Sequence, residues 1–204
     1  LPGLDTRYFP AGRQGTGGRQ YSGGRYLLVG AGLFGGRSYA YLRDFFRQVG
    51  AAFFGGSGDE ELYDRMTELA AAVPPGADGL RCLPLFTGSR TDPGLRGSFT
   101  GIAPHNLTPG HLTRALLEGM AEVFYGMYEQ MRPIVGAREV LVGSGNGIRR
   151  NALFARILAE RFGLPLHTPT EQEEAATGAA LVAAVGAGEL ADFDAAAKFG
   201  PGYL

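Results

Sequence analysis

The tightest limit on what this chain can fold into comes from residues 139–147, EVLVGSGNG, and the amphipathic run 151–162 that follows them. An apolar strand breaks into a turn carrying Gly143, Gly145 and Gly147, then restarts as a helix. Glycines remove Cβ atoms where the backbone bends sharply and lies close against a flat ligand, and a helix start presents unpaired N–H groups. Nucleotides dock at such turns. Plain strand-to-helix connections share the pattern, so the segment by itself leaves both readings open.

The other elements follow from periodicity and punctuation. Residues 26–31 (YLLVGA) read as a buried strand and 38–49 as a helix, with a break expected over 50–58. A second helix is expected over 59–73, opened by an acidic residue and stopped by Pro74-Pro75-Gly76, and an apolar strand over 80–86. A polar loop fills 87–109. Thr108 and Pro109, a capping residue before a first-turn proline, open a long helix over 110–131. Strand 139–142, helix 151–162, strand 164–168 and helix 171–186 then alternate, which argues for α/β layering. The opening 1–24 is read as a partial leading-strand region with a glycine-rich, low-complexity loop, 25–190 as the main lobe and 191–204 as a tail.

Composition narrows the partners. The 204 residues suit one ordinary domain or one lobe of something larger. Nineteen basic and 20 acidic residues, spread without long blocks, leave no electrostatic footprint for nucleic acid or an anionic membrane. Cys82 is the single cysteine, so no internal disulfide or thiolate metal cluster can form, and a cytoplasmic setting is expected. No run approaches the roughly 18 apolar residues of a membrane span, and the opening does not read as a signal peptide. Asn106-Leu107-Thr108 is therefore expected to be an idle glycosylation triplet.

Three other patterns compete for function. Gly30-Ala31-Gly32-Leu33-Phe34-Gly35 matches the dinucleotide fingerprint after a strand, yet no Asp or Glu stands between Asp44 and Asp59 to hold a ribose. An NAD- or FAD-dependent oxidoreductase is thus disfavoured. Ser57 and Ser144 lack the G-x-S-x-G elbow and read as turn serines. His105, His111 and His167 lack ligand spacing and read as loop, helix-face and strand-end residues. In the alanine-rich run 173–188, Gly178 costs about 1 kcal/mol against alanine, and a close approach to a neighbour is the expected reason.

Five segments, in order, resemble the FGGY carbohydrate kinases of the actin-like ATPase superfamily, particularly sedoheptulokinase-like and xylulokinase-like members. GAGLFGGRSYAYLRD (30–44) resembles the family's glycine segment and helix, and GADGLRCLPLFTGSRTDPGLRG (76–97) its GADGL…GER…RG stretch. LTRALLEGMA (112–121) is similar to the helix after that loop, GSGNGIRRNALFARILAERFGLPL (143–166) to the adenosine motif, and EEAATGAALVA (173–183) to the last connecting motif.

The resemblance implies the C-terminal lobe of a two-lobed kinase with an actin-like ATPase (ribonuclease H-like) fold: a mixed sheet flanked by helices, its leading strands missing. It also implies phosphorylation of a ketose hydroxyl by ATP. Gly143, Ser144, Gly145 and Asn146 would form the turn facing adenine and ribose, with Asn151 a side-chain contact and Gly35 and Gly36 approaching from the opposite wall. Glu174 and Gly178 would support the site by helix packing. Ala40 stands where relatives often carry a polar side chain, removing a hydrogen bond there. The first phosphate motif, the catalytic aspartate, most sugar contacts and most of the hold on Mg²⁺ would belong to the N-terminal lobe, with the second phosphate motif just before Leu1. Thr87-Gly88-Ser89 belongs to the GER-like loop and does not replace it.

The expectation is thus an incomplete ketose kinase, inactive alone, with an unpaired sheet edge and an apolar face that invite homo-oligomers. A stand-alone nucleotide-binding or assembly module is the alternative.

Overall fold

A computed structural model describes residues 4–9, 25–30, 35–55, 61–89, 92–170 and 173–199. The molecule is organised around one long helix, α3 (Pro109–Val135), because its sequence is apolar over a broad face and its start is locked. The Thr108 side chain accepts from the His111 N–H and Pro109 occupies the first turn, as the sequence predicts. Thr113, Ala115, Leu116, Leu117, Met120 and Val123 are buried along α3. Against it pack α1 (Gly35–Phe54), α2 (Leu62–Ala71), α5 (Ala152–Phe162) and strand β3 (Arg81–Leu83). Gly119 lets β3 approach, since a Cβ there would overlap the Cys82 carbonyl.

The strands pair as three two-stranded ladders. β1 (Leu4–Phe9) runs antiparallel to β2 (Arg25–Gly30), with Leu4 opposite Gly30 and Phe9 opposite Arg25. β3 runs antiparallel to β4 (Ser98–Thr100), and β5 (Leu141–Val142) parallel to β6 (Leu166–His167). The α/β class is as expected, but among the described residues no single mixed sheet joins these ladders. Three short elements complete the chain: α4 (Asn146–Arg149), α6 (Glu174–Ala187) and α7 (Phe193–Ala197).

Several boundaries differ from the sequence expectation for identifiable reasons. Helix α1 passes through Gly50 to Phe54 and stops where Gly55 takes φ +64°; one mid-helix glycine weakens a helix without breaking it. β3 ends at Leu83, not at 86, because Pro84 has no N–H to continue the ladder. The expected loop 87–109 contains β4, and the expected tail contains α7, capped by the Asp192 carboxylate on the Ala195 N–H at 2.7 Å. Helix α3 runs beyond 131 and closes when Gly136 donates to the Arg132 carbonyl at 2.9 Å. The expected acidic start at Asp59 lies outside the described residues, as do Ser57 and Ala31 to Phe34 of the dinucleotide-like segment. Among the described residues, no helix is long and apolar enough to cross a membrane.

Asn106 is wholly committed to the fold. It is 1% exposed and holds Ala103 N, Asp78 O and Gly101 O at 2.8–3.0 Å, which welds the 3-10 turn Ala77–Gly79 to the loop before α3.

Candidate functional site

The glycine turn begins where β5 ends. Gly143 is buried, and a Cβ on it would come within 2.9 Å of Ile148 Cγ2 and Leu166 Cδ2, so this glycine serves the packing of α4 and β6 onto the turn. Gly145 takes φ +86° and ψ 160°, a conformation that disfavours any side chain, and turns the chain into α4. Where the sequence predicts one helix from 151, the structure inserts α4 first. Arg150 then closes α4, and Asn151 opens α5 by accepting the Phe154 N–H on Oδ1 at 2.9 Å.

This double bend makes one wall of a pocket of about 230 Å³. Ser144, Gly147, Ile148, Asn151 and Phe154 line that wall, Gly36 and Tyr39 of α1 line the opposite one, and Leu117, Met120 and Phe124 of α3 form an apolar floor. The floor residues recur at helical spacing, so they present one stripe to the cavity. Gly36 leaves open space where a Cβ would stand.

Of the residues singled out in the sequence, the pocket brings together Gly36, Ser144, Gly147 and Asn151, from segments more than 100 positions apart. Gly143, Gly145, Asn146 and Gly35 are not among its lining residues; the first two shape the turn, Asn146 begins α4 and Gly35 begins α1. Glu174 forms an ion pair with Arg149, which ties α6 to α4 and supports the turn from behind. Gly178 departs from expectation: it is exposed and a Cβ on it would meet nothing within 4 Å, so no close approach explains it.

Tyr39 is the polar pocket residue that sequence reasoning passed over. Its ring stacks on Tyr63 at 5.4 Å between centroids, and its hydroxyl lies 3.0 Å from Thr67 Oγ1 on α2. Burial raises its pKa, and hydrogen bonding with Thr67 and Asn151 offsets part of that rise, so the group is a neutral phenol at ordinary pH. Its position three residues after Gly36 was the available signal, because residues that far apart share a helix face.

Two other cavities offer less. An apolar one of about 280 Å³, lined by Met127, Met131, Leu158 and Leu166 among others, lies behind Gly143. A cleft of about 480 Å³ lies between α3, β3 and α5. Two ion pairs lie in its wall: Arg114 Nε meets Glu118 Oε1 at 2.6 Å, and Arg161 donates to Glu122 at 2.9 Å while its guanidinium covers the Tyr125 ring. Burial pushes the Cys82 thiol in its wall up to about 12, so that sulfur is an unreactive thiol. His111 is held between Thr108 and Asp78, and among the described residues no group of three His, Cys, Asp or Glu side chains converges as a metal site.

Likeness to a solved structure at 33% identity puts the chain in the actin-like ATPase class of α/β folds. The structure of xylulose kinase from Rhodospirillum rubrum superposes with a TM-score of 0.63 at 33% identity, covering 80% of this chain and 31% of that one. The profile of the FGGY family of carbohydrate kinases, C-terminal domain, matches residues 5–187, and the chain belongs to that family. Human sedoheptulokinase is 30% identical over 181 residues, 89% of this chain and 35% of that protein. Gluconokinase from Bacillus subtilis is 27% identical over 164 residues, 79% of this chain and 32% of that protein. The chain therefore spans about a third of the length of the relatives it matches.

Proposed function

We propose that this chain is the ATP-binding lobe of a kinase that transfers the γ-phosphoryl group of ATP to a hydroxyl of a sedoheptulose- or xylulose-like ketose. The observation that carries the reading is the convergence of Gly36, Ser144 and Asn151 on one pocket with an apolar floor. A base is a flat, largely apolar body with polar edges. Such a pocket suits it, because ring faces meet Leu117, Met120 and Phe124 while edges meet Tyr39, Ser144 and Asn151. Gly36 and Gly147 keep the mouth free of side chains where a ribose and phosphates would leave. The choice of a ketose follows the sedoheptulokinase and xylulose kinase likeness.

In the proposed reaction the sugar oxygen forms a bond to the γ-phosphorus, the bond from that phosphorus to the β,γ-bridging oxygen breaks, and the hydroxyl proton passes to a base. No carboxylate lines the pocket. The base, the sugar contacts and most of the hold on Mg²⁺ therefore belong to residues other than these, with the metal arriving on the nucleotide phosphates, where it supplies charge neutralisation. What this chain's own residues do is bind and orient the adenosine half. Residues 25–190 form the lobe proper in this reading, and a cytoplasmic setting, where ATP is held, goes with it.

Half a cleft makes part of the nucleotide contacts and none of the closure that excludes water. Titration of the purified chain with ATP is expected to give a millimolar-class dissociation constant, about 4 kcal/mol of binding free energy, and no turnover of sedoheptulose or xylulose. Absence of binding at 20 times that concentration would contradict the reading.

A further inference from the structure

The hydrogen-bond directions around Tyr39 can be fixed. Thr67 has one hydroxyl hydrogen, and Oγ1 donates it to the Tyr63 carbonyl at 2.9 Å. Thr67 can then only accept from Tyr39, 3.0 Å away, so the phenol hydrogen is committed to α2. What remains on the Tyr39 oxygen is lone pairs. Asn151 is the converse case. Its Oδ1 is held by the Phe154 N–H at 2.9 Å, and its amide nitrogen has only hydrogens to give. Tyr39 and Asn151 both line the pocket.

The pocket lining thus includes an acceptor on α1 and a donor at the start of α5. Adenine carries the complement, a 6-amino donor beside the ring acceptor N7, whereas a 6-oxopurine presents two acceptors along that edge. We propose that Tyr39 is a specificity-determining residue for adenine: its oxygen, held as an acceptor by Thr67, takes a hydrogen from the 6-amino group. This rests on the reading of the pocket as the base site.

The test titrates the chain with ATP, inosine triphosphate and purine riboside triphosphate, which carry an amino group, an oxygen and hydrogen at position 6. Chemical-shift changes report millimolar affinities. The wild type is expected to prefer ATP to each of the other two by roughly threefold to tenfold, the range of one neutral hydrogen bond. Tyr39→Phe should erase the preference over purine riboside triphosphate. Thr67→Val lies outside the pocket lining and frees the phenol to donate, so it should raise inosine triphosphate relative to ATP. Binding of none of the three by the wild type overturns the nucleotide reading itself. ATP binding with equal affinities across the three in the wild type, or with ratios unchanged in either variant, overturns the assignment to Tyr39 and leaves the nucleotide reading standing.

Discussion

Asn151 shows how one side chain serves fold and site together. Its oxygen caps the first turn of α5, the residue also lines the pocket, and it is only 6% exposed. Removing the cap should cost about 1 kcal/mol, since Ala supplies no acceptor for the Phe154 N–H. Urea denaturation of Asn151→Ala should report that loss, together with weakened ATP binding. Asn151→Asp separates the two duties, because a carboxylate caps a helix as well as an amide does but donates nothing. Its stability should stay near wild type while ATP affinity falls. Equal stability of the Ala variant and the wild type would contradict the capping role. Gly143 works in the opposite sense, its missing side chain being what Ile148 and Leu166 require.

At the scale of elements, a strand and helix are legible where caps and breakers agree with periodicity. Thr108-Pro109 and the apolar stripe behind it gave the start of α3, and Gly163, with φ +65°, ends α5 where the pattern does. What escaped was decided by neighbours. Neither β4 nor β1 has enough apolar alternation to announce itself; each exists because a partner strand supplies its hydrogen bonds. Helix α4 was hidden for a related reason, since Gly147 lies inside it and four residues carry too little periodicity to read. Gly50 misled in the other direction. The sequence reads as a break there, yet α1 carries this glycine, and a Cβ on it would meet nothing within 4 Å. Gly50→Ala should accordingly stabilise the protein by roughly 0.5–1 kcal/mol, read as a rise in thermal midpoint. A fall would show that the helix does not run through that position.

For the whole molecule, α3 divides the lobe into two faces. Leu117, Met120 and Phe124 turn toward the smaller pocket, while Arg114, Glu118 and Glu122 turn toward the larger cleft, where they take part in ion pairs. Four turn and helix-start residues of the candidate site, Gly36, Ser144, Gly147 and Asn151, are visible in the sequence because glycine and capping chemistry leave local marks. Tyr39 and the α3 floor are not, because their membership depends on which helix faces pack together. A larger cavity lies elsewhere; the proposed site is a smaller one whose polar edges stand over an apolar floor, which suits a base. Backbone amide shifts followed during ATP titration test this assignment most directly. The account predicts that the largest changes fall on Gly36, Tyr39, Ser144, Gly147 and Asn151 and saturate together. Changes centred on Arg114 and Glu118 in the larger cleft, or none at all, would contradict it.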